Sequence, residues 1–150
     1  MLKPSNCQDI IRDHIVISPV LDLSAASAFV NPPFVDTDLD HQWEVVGVGF
    51  YVTTAYIAAN AAEITVGQGG TTNKFLNAAT LGVGAVAVET IIDLTSQLTA
   101  TRLLTPGRSL EIGHVQEAGQ TGEGFVAVRL RPHDVKYGAS KRPAAAQSPA

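Results

Sequence analysis

Between Trp43 and Thr54 the chain reads WEVVGVGFYVTT, placing Val46, Val48, Phe50 and Val52 on one face and Val45, Gly47, Gly49 and Tyr51 on the other. Period-two alternation among β-branched and aromatic residues is the signature of a strand. The second face is small yet still apolar. Gly47 and Gly49 strip it of side chains, which lets another backbone or subunit approach closely. A second long alternation runs through 83–95, with Val86, Val88, Thr90, Ile92 and Leu94 on one side and Ala85, Ala87, Glu89, Ile91 and Asp93 on the other. A third, SLEIGHV at 109–115, follows Pro106-Gly107, a dipeptide that favours a type II turn. In the fourth, GFVAVRLR at 124–131, Val126, Val128 and Leu130 point inward and Phe125, Ala127, Arg129 and Arg131 outward.

Shorter segments complete the pattern. Residues 10–17 and 20–30 read as strands interrupted at Pro19, and 62–68 and 73–79 flank a glycine turn at Gly67–Gly70. The polar stretch EAGQTGEG at 117–124 is expected to join the last two long strands as a hairpin. Only 54–61, TAYIAANA, suits a helical turn, and it is too short to persist as a helix. Many short strands divided by Gly, Pro and Asn turns predict an all-β protein. The expected fold is a jelly-roll or Greek-key β-sandwich of about eight or nine strands with extended termini. Residues 1–20 form an N-terminal arm or first strand, 21–137 the sandwich domain, and 138–150 (GASKRPAAAQSPA) a disordered tail.

Composition narrows the function. The chain has 150 residues, 45% hydrophobic and 16% charged, enough for one domain with a substantial core. With 14 acidic and 10 basic residues and a formal charge of −4, it lacks the basic face of a dedicated nucleic-acid binder. Arg129, Arg131, Lys136, Lys141 and Arg142 cluster late in the chain, which suits a solvated terminus. Cys7 is the single cysteine, so no intramolecular disulfide forms, and nothing in its polar surroundings activates the thiol. The start MLKPSNCQDII lacks the apolar stretch of a signal peptide, and no run approaches the ~20 apolar residues of a membrane helix. A soluble protein made in a cytoplasm, with no membrane partner, is expected.

Candidate chemistry is sparse. Asp36, Asp38 and Asp40 alternate as at the start of a calcium loop, but the sixth and twelfth positions hold His41 and Gly47 instead of Gly and Glu. An acidic, solvated loop is the simpler reading. His14, His41, His114 and His133 make no His-x-His or HExxH spacing, so no metal site is expected. His114 shares parity with Leu110 and Ile112, as a half-buried residue would. Ser96 and Ser109 lack a nucleophile elbow. The stretch VGQGGTTNK lacks the GK[ST] ending of a phosphate loop and reads as a hairpin turn. No catalytic residue and no cofactor are expected. Of the aromatics Trp43, Phe50, Tyr51, Tyr56, Phe75, Phe125 and Tyr137, Tyr51 and Phe125 are the best placed for exposure, each opposite the strongly apolar face of its strand.

The run Trp43–Arg131 resembles a family of small virion proteins of tailed phages, the jelly-roll decoration, cement and head-fibre proteins. The resemblance lies in WEVVGVGFYVTTAYI, EITVGQGGT, VAVETIIDL and the segment LLTPGRSLEIGHVQEAGQTGEGFVAVRLRP. It implies a non-enzymatic protein on the capsid surface of a virion, bound to the major capsid protein and often trimeric. The weakly charged faces built from Gly47, Gly49 and Tyr51, from Ala85, Ala87 and Ile91, and from Phe125 are the candidate oligomer or partner interface. The 1–20 segment is the candidate capsid-contacting arm. The alternative is a virion spike or head-fibre module that binds host cell-surface glycans through exposed aromatics.

Overall fold

The computed structural model describes residues 13–30, 42–58, 62–81, 84–116 and 119–133. Among the described residues the alternation folds into ten strands in two antiparallel sheets. In chain order they are β1 (His14–Ile17), β2 (Leu21–Asp22), β3 (Ala28–Val30), β4 (Gln42–Ala58), β5 (Glu63–Gln68), β6 (Thr71–Thr80), β7 (Gly84–Val86), β8 (Ile91–Asp93), β9 (Leu110–Val115) and β10 (Thr121–His133). One sheet runs β1-β10-β4-β7, with β2 beside β10 and β8 beside β4; the other runs β3-β9-β5-β6.

Because β2 continues along the edge begun by β1, and β8 along that begun by β7, each pair occupies one strand position, leaving eight. Counted so, one sheet takes the first, eighth, third and sixth positions and the other the second, seventh, fourth and fifth. That is the jelly-roll order, the narrower of the two sandwich topologies expected from the sequence.

The core lies between the sheets. Val48, Phe50, Val52 and Tyr56 of β4 and Val126, Val128 and Leu130 of β10 meet Ile64, Val66, Phe75, Leu76, Leu110 and Ile112, and all are buried. Each fully buried side chain of this size contributes roughly 1.5–3 kcal/mol relative to exposure. The inward triplet on β10 is as the alternation predicts.

On β4 the alternation changes phase. Arg129 pairs with Gly47 but Leu130 pairs with Val45, so Val46 is an extra residue in the ladder. This bulge turns Val45 into the core beside Leu130 and leaves Val46 half-buried, the reverse of the sequence expectation. A second phase break divides 83–95. Instead of one strand, β7 and β8 pair with separate stretches of β4, and the intervening turn contains Glu89 at φ +67°. Val88 is therefore exposed while Leu94 is buried.

Three further expectations change. Residues 54–58 of the supposed helical turn continue β4, because Tyr56 pairs with Val86 and buries its ring, its hydroxyl accepting the Ala62 N–H (3.2 Å). The segment after β9 is no hairpin, since β9 and β10 belong to different sheets. The 20–30 stretch divides into β2 and β3 around a turn in which Asp22 accepts both the N–H (2.9 Å) and the hydroxyl (2.6 Å) of Ser24.

Two predicted turns are present. Arg108 N–H reaches Thr105 O (3.1 Å) across Pro106-Gly107, with Gly107 at φ +80°, as a type II turn requires. Gly69-Gly70 joins β5 to β6, with Gly70 at φ +90°, so the glycine-rich segment is a hairpin. Gly67 belongs to β5 itself.

The stretch 94–105 spans from β4 of one sheet to β6 of the other. Leu94, Leu98 and Leu104 are buried, and a three-residue 3-10 turn (Thr95–Gln97) lies between the first two. Thr99 N–H bonds to Phe75 O (2.8 Å) in one sheet, while Leu104 N–H bonds to Trp43 O (2.8 Å) and Val45 N–H to Arg102 O (2.8 Å) in the other. Nearby, Gln68 Oε1 accepts from Thr105 N–H (2.9 Å) and Lys74 Nζ (3.2 Å). Partial burial pushes the Lys74 ammonium below its ordinary value.

Candidate interaction face

Cross-strand register assembles one surface from four strands. On the outer side of the six-stranded sheet, Ile17 lies opposite Ala127, Ala127 opposite Gly49, and Gly49 opposite Asp93. The neighbouring rows are Ile15–Arg129–Gly47 and Phe125–Tyr51–Ile91. The middle strands thus supply small residues and the flanking strands large ones. Ile15, Ile17 and Ile91 are 66%, 52% and 68% exposed, an unusual clustering of large aliphatic side chains in water. An open depression of about 320 Å³ is lined by Ile15 and Ile91, by the small residues Gly47, Gly49 and Ala127, and by Asp93, Thr95 and Arg129.

The charges here are tied down. Arg131 holds Asp13 through Nε–Oδ1 (3.0 Å) and Nη2–Oδ2 (3.3 Å), and Arg129 Nε stands 3.6 Å from the same carboxylate. The Arg131 hydrogen bond keeps the Asp13 carboxyl below its ordinary value, against a smaller opposing effect of burial, and raises Arg131 in turn. Asp93 is also lowered, mainly by the Thr95 N–H (2.9 Å) and hydroxyl, with a contribution from Arg129. Thr95 in turn accepts the Val48 N–H (3.2 Å) and so anchors the depression's end to β4.

Of the sequence-predicted interface residues, Gly47, Gly49, Tyr51, Ile91 and Phe125 meet on this face. Tyr51 and Phe125 are half-buried and stack on each other, ring centroids 5.0 Å apart. Ala85 is exposed on β7 opposite Ile57, farther along β4, and Ala87 is exposed in the turn after β7. Sequence reasoning missed Ile15, Ile17, Ala127, Arg129 and Asp93 as members. The parity of Ile15 and Ile17 against Val16 was the available signal.

The remaining candidates lie elsewhere. His114 is buried, with Nε2 3.2 Å from Ala25 O, deeper than the half-buried placement expected. His14 meets Trp43 edge-on at 4.8 Å. Phe50, Tyr56 and Phe75 are core residues. Among the described residues no three His, Cys, Asp or Glu side chains cluster as metal ligands, and no helix is long and apolar enough to cross a membrane. Cys7, most of the 1–20 arm, the DTDLD segment, His41, Tyr137 and the 138–150 tail lie outside the described residues.

These features define an all-β jelly-roll sandwich with an apolar outer face. No protein-family model matches the chain, and no curated protein matches it. Among solved structures it is similar to a chain of the cyanophage Pam1 capsid asymmetric unit. The two are 15% identical, with a TM-score of 0.44, over 81% of this chain and 84% of that one. A likeness this distant carries no argument for function.

Proposed function

We propose that this chain is a non-enzymatic virion structural protein that binds the outer surface of a phage capsid, through the major capsid protein, and stabilises it. The observation that carries the reading is the outer face, with exposed Ile15 and Ile91 bordering a depression lined by Gly47, Gly49 and Ala127, and exposed Ile17 opposite Ala127. Large aliphatic side chains exposed together on one sheet face support a contact with another macromolecule. The resemblance of the 43–131 segment to decoration proteins supplies the kind of partner and the expectation of a homotrimer. A glycan-binding spike draws less support, because Tyr51 and Phe125 turn ring faces toward each other.

The test is cosedimentation of the purified chain with expanded, empty capsids assembled from the major capsid protein of the same genome, with light scattering for the number of copies. Saturable binding that raises the capsid's melting temperature, lost in Ile91→Lys and Gly49→Lys, is expected. A folded chain that stays in the supernatant overturns the proposal.

A further inference from the structure

Strand β1 is an edge of the six-stranded sheet, and its hydrogen-bonding alternation is fixed by Ser18, whose N–H bonds to Val126 O (2.9 Å). By the antiparallel pattern His14 and Val16 bond toward β10, so Ile15 and Ile17 direct their backbone N–H and C=O groups away from it. Among the described residues no strand pairs with β1 on that side. Ile15 and Ile17 also carry exposed side chains. Natural edges are usually blunted by proline, lysine or an unpaired charge. Strand β1 contains neither Pro nor Lys, Pro19 limits the edge only beyond Ser18, and the charge beside it, Asp13, is held by Arg131.

We propose that β1 is a homotypic docking edge, pairing antiparallel with β1 of a second copy about a two-fold axis at Val16. In that register Ile15 stands opposite Ile17 of the second copy and exchanges both backbone hydrogen bonds with it. Every isoleucine gains an isoleucine beside it, a favourable cross-strand pair. The occupant is a second copy because the outward donors, acceptors and apolar side chains of Ile15 and Ile17 are symmetric about Val16, so the same edge of another chain matches them. The charges agree: each Asp13 falls opposite Pro19, with the two carboxylates at opposite ends of the ladder. So short a ladder buries less than the ~1,200 Å² of a stable interface, so the contact forms where copies are concentrated, as on a shared surface. It requires no capsid and stands or falls separately from capsid binding.

Light scattering on the full chain alone, from about 1 µM to about 1 mM, spans the range of weak specific association. The mean mass is expected to rise toward twice its low-concentration value. Ile17→Pro removes an N–H that points only outward, and Ile15→Lys charges the edge; both are expected to abolish the rise while keeping the wild-type melting temperature. Amide exchange on the wild type reads the same contact without substitution, the Ile15 and Ile17 amides slowing as concentration rises. A constant mass, a doubling that persists in either folded variant, or Ile15 and Ile17 exchange independent of concentration overturns the proposal.

Discussion

The Phe125 ring lies nearly parallel to that of Tyr51, at 16° between planes, on directly opposed positions of β10 and β4. Stacked aromatic pairs contribute about 0.5–1.5 kcal/mol beyond their buried area. A double-mutant cycle with Tyr51→Ala and Phe125→Ala, followed by urea unfolding, is expected to give a coupling energy in that range. A coupling near zero would show the stacking to be energetically idle.

The Asp13–Arg131 pair makes acid sensitivity partly local. Asp13 has a folded-state value below its ordinary 3.8, so its contribution is present above 3.8 and is lost as pH falls through the folded value. Asp13→Asn is therefore expected to melt below wild type at neutral pH, with the two curves converging in strong acid. Melting temperatures from pH 7 down to pH 2 check this; a gap that widens in acid contradicts it.

Two glycines of the same strand pair should respond oppositely to alanine. A Cβ on Gly124 would collide with Tyr51 O and the Phe50 ring, neither of which can yield. Gly124→Ala is expected to cost about 1–3 kcal/mol or more. A Cβ on Gly49 would meet Ile91 Cγ2 and Ile92 O at an ordinary 3.7 Å. Gly49→Ala is thus expected to be neutral or to stabilise by up to about 1 kcal/mol, since glycine is unfavourable inside a strand. Denaturant midpoints of the two variants separate the cases.

Ala78 occupies the left-handed region at φ +52°, where β6 carries an extra residue relative to β5. That conformation costs an L-residue about 1–2 kcal/mol and costs glycine little. Ala78→Gly is accordingly expected to raise stability by up to about 1 kcal/mol, after glycine's own entropic cost. A lowered unfolding midpoint would contradict it.

The strands that alternate without interruption were legible from residue type alone. Val126, Val128 and Leu130 are inward because period two persists along β10, and Gly107 marked its turn because glycine takes that positive φ without strain. What escaped were the positions where the period breaks. Val46 looks like any other valine, and only its place opposite the Arg129–Leu130 step makes it a bulge. The Ala87–Thr90 turn lacks glycine and proline, so nothing local announced it. The route from β9 to β10 was misread because a polar loop between two apolar strands looks the same whether it turns back or crosses to the other sheet. The interaction face was half visible, through Gly47, Gly49, Tyr51, Ile91 and Phe125. Its other half, Ile15, Ile17, Ala127, Arg129 and Asp93, joins it only through long-range pairing.

The interior position of β10 has a consequence for how the molecule is made. This strand lies between β1 and β4, so Ile15 waits for Arg129 and Gly49 for Ala127. A ribosome releases β10 after every other described strand, and until then the apolar sides of β1 and β4 have no ladder between them. The sheet is completed by inserting its middle, a loop closure over most of the chain that slows folding. Completion of the sheet therefore waits on its central strand, and the edges of β1 and β4 that face β10 stay without partners until it joins them.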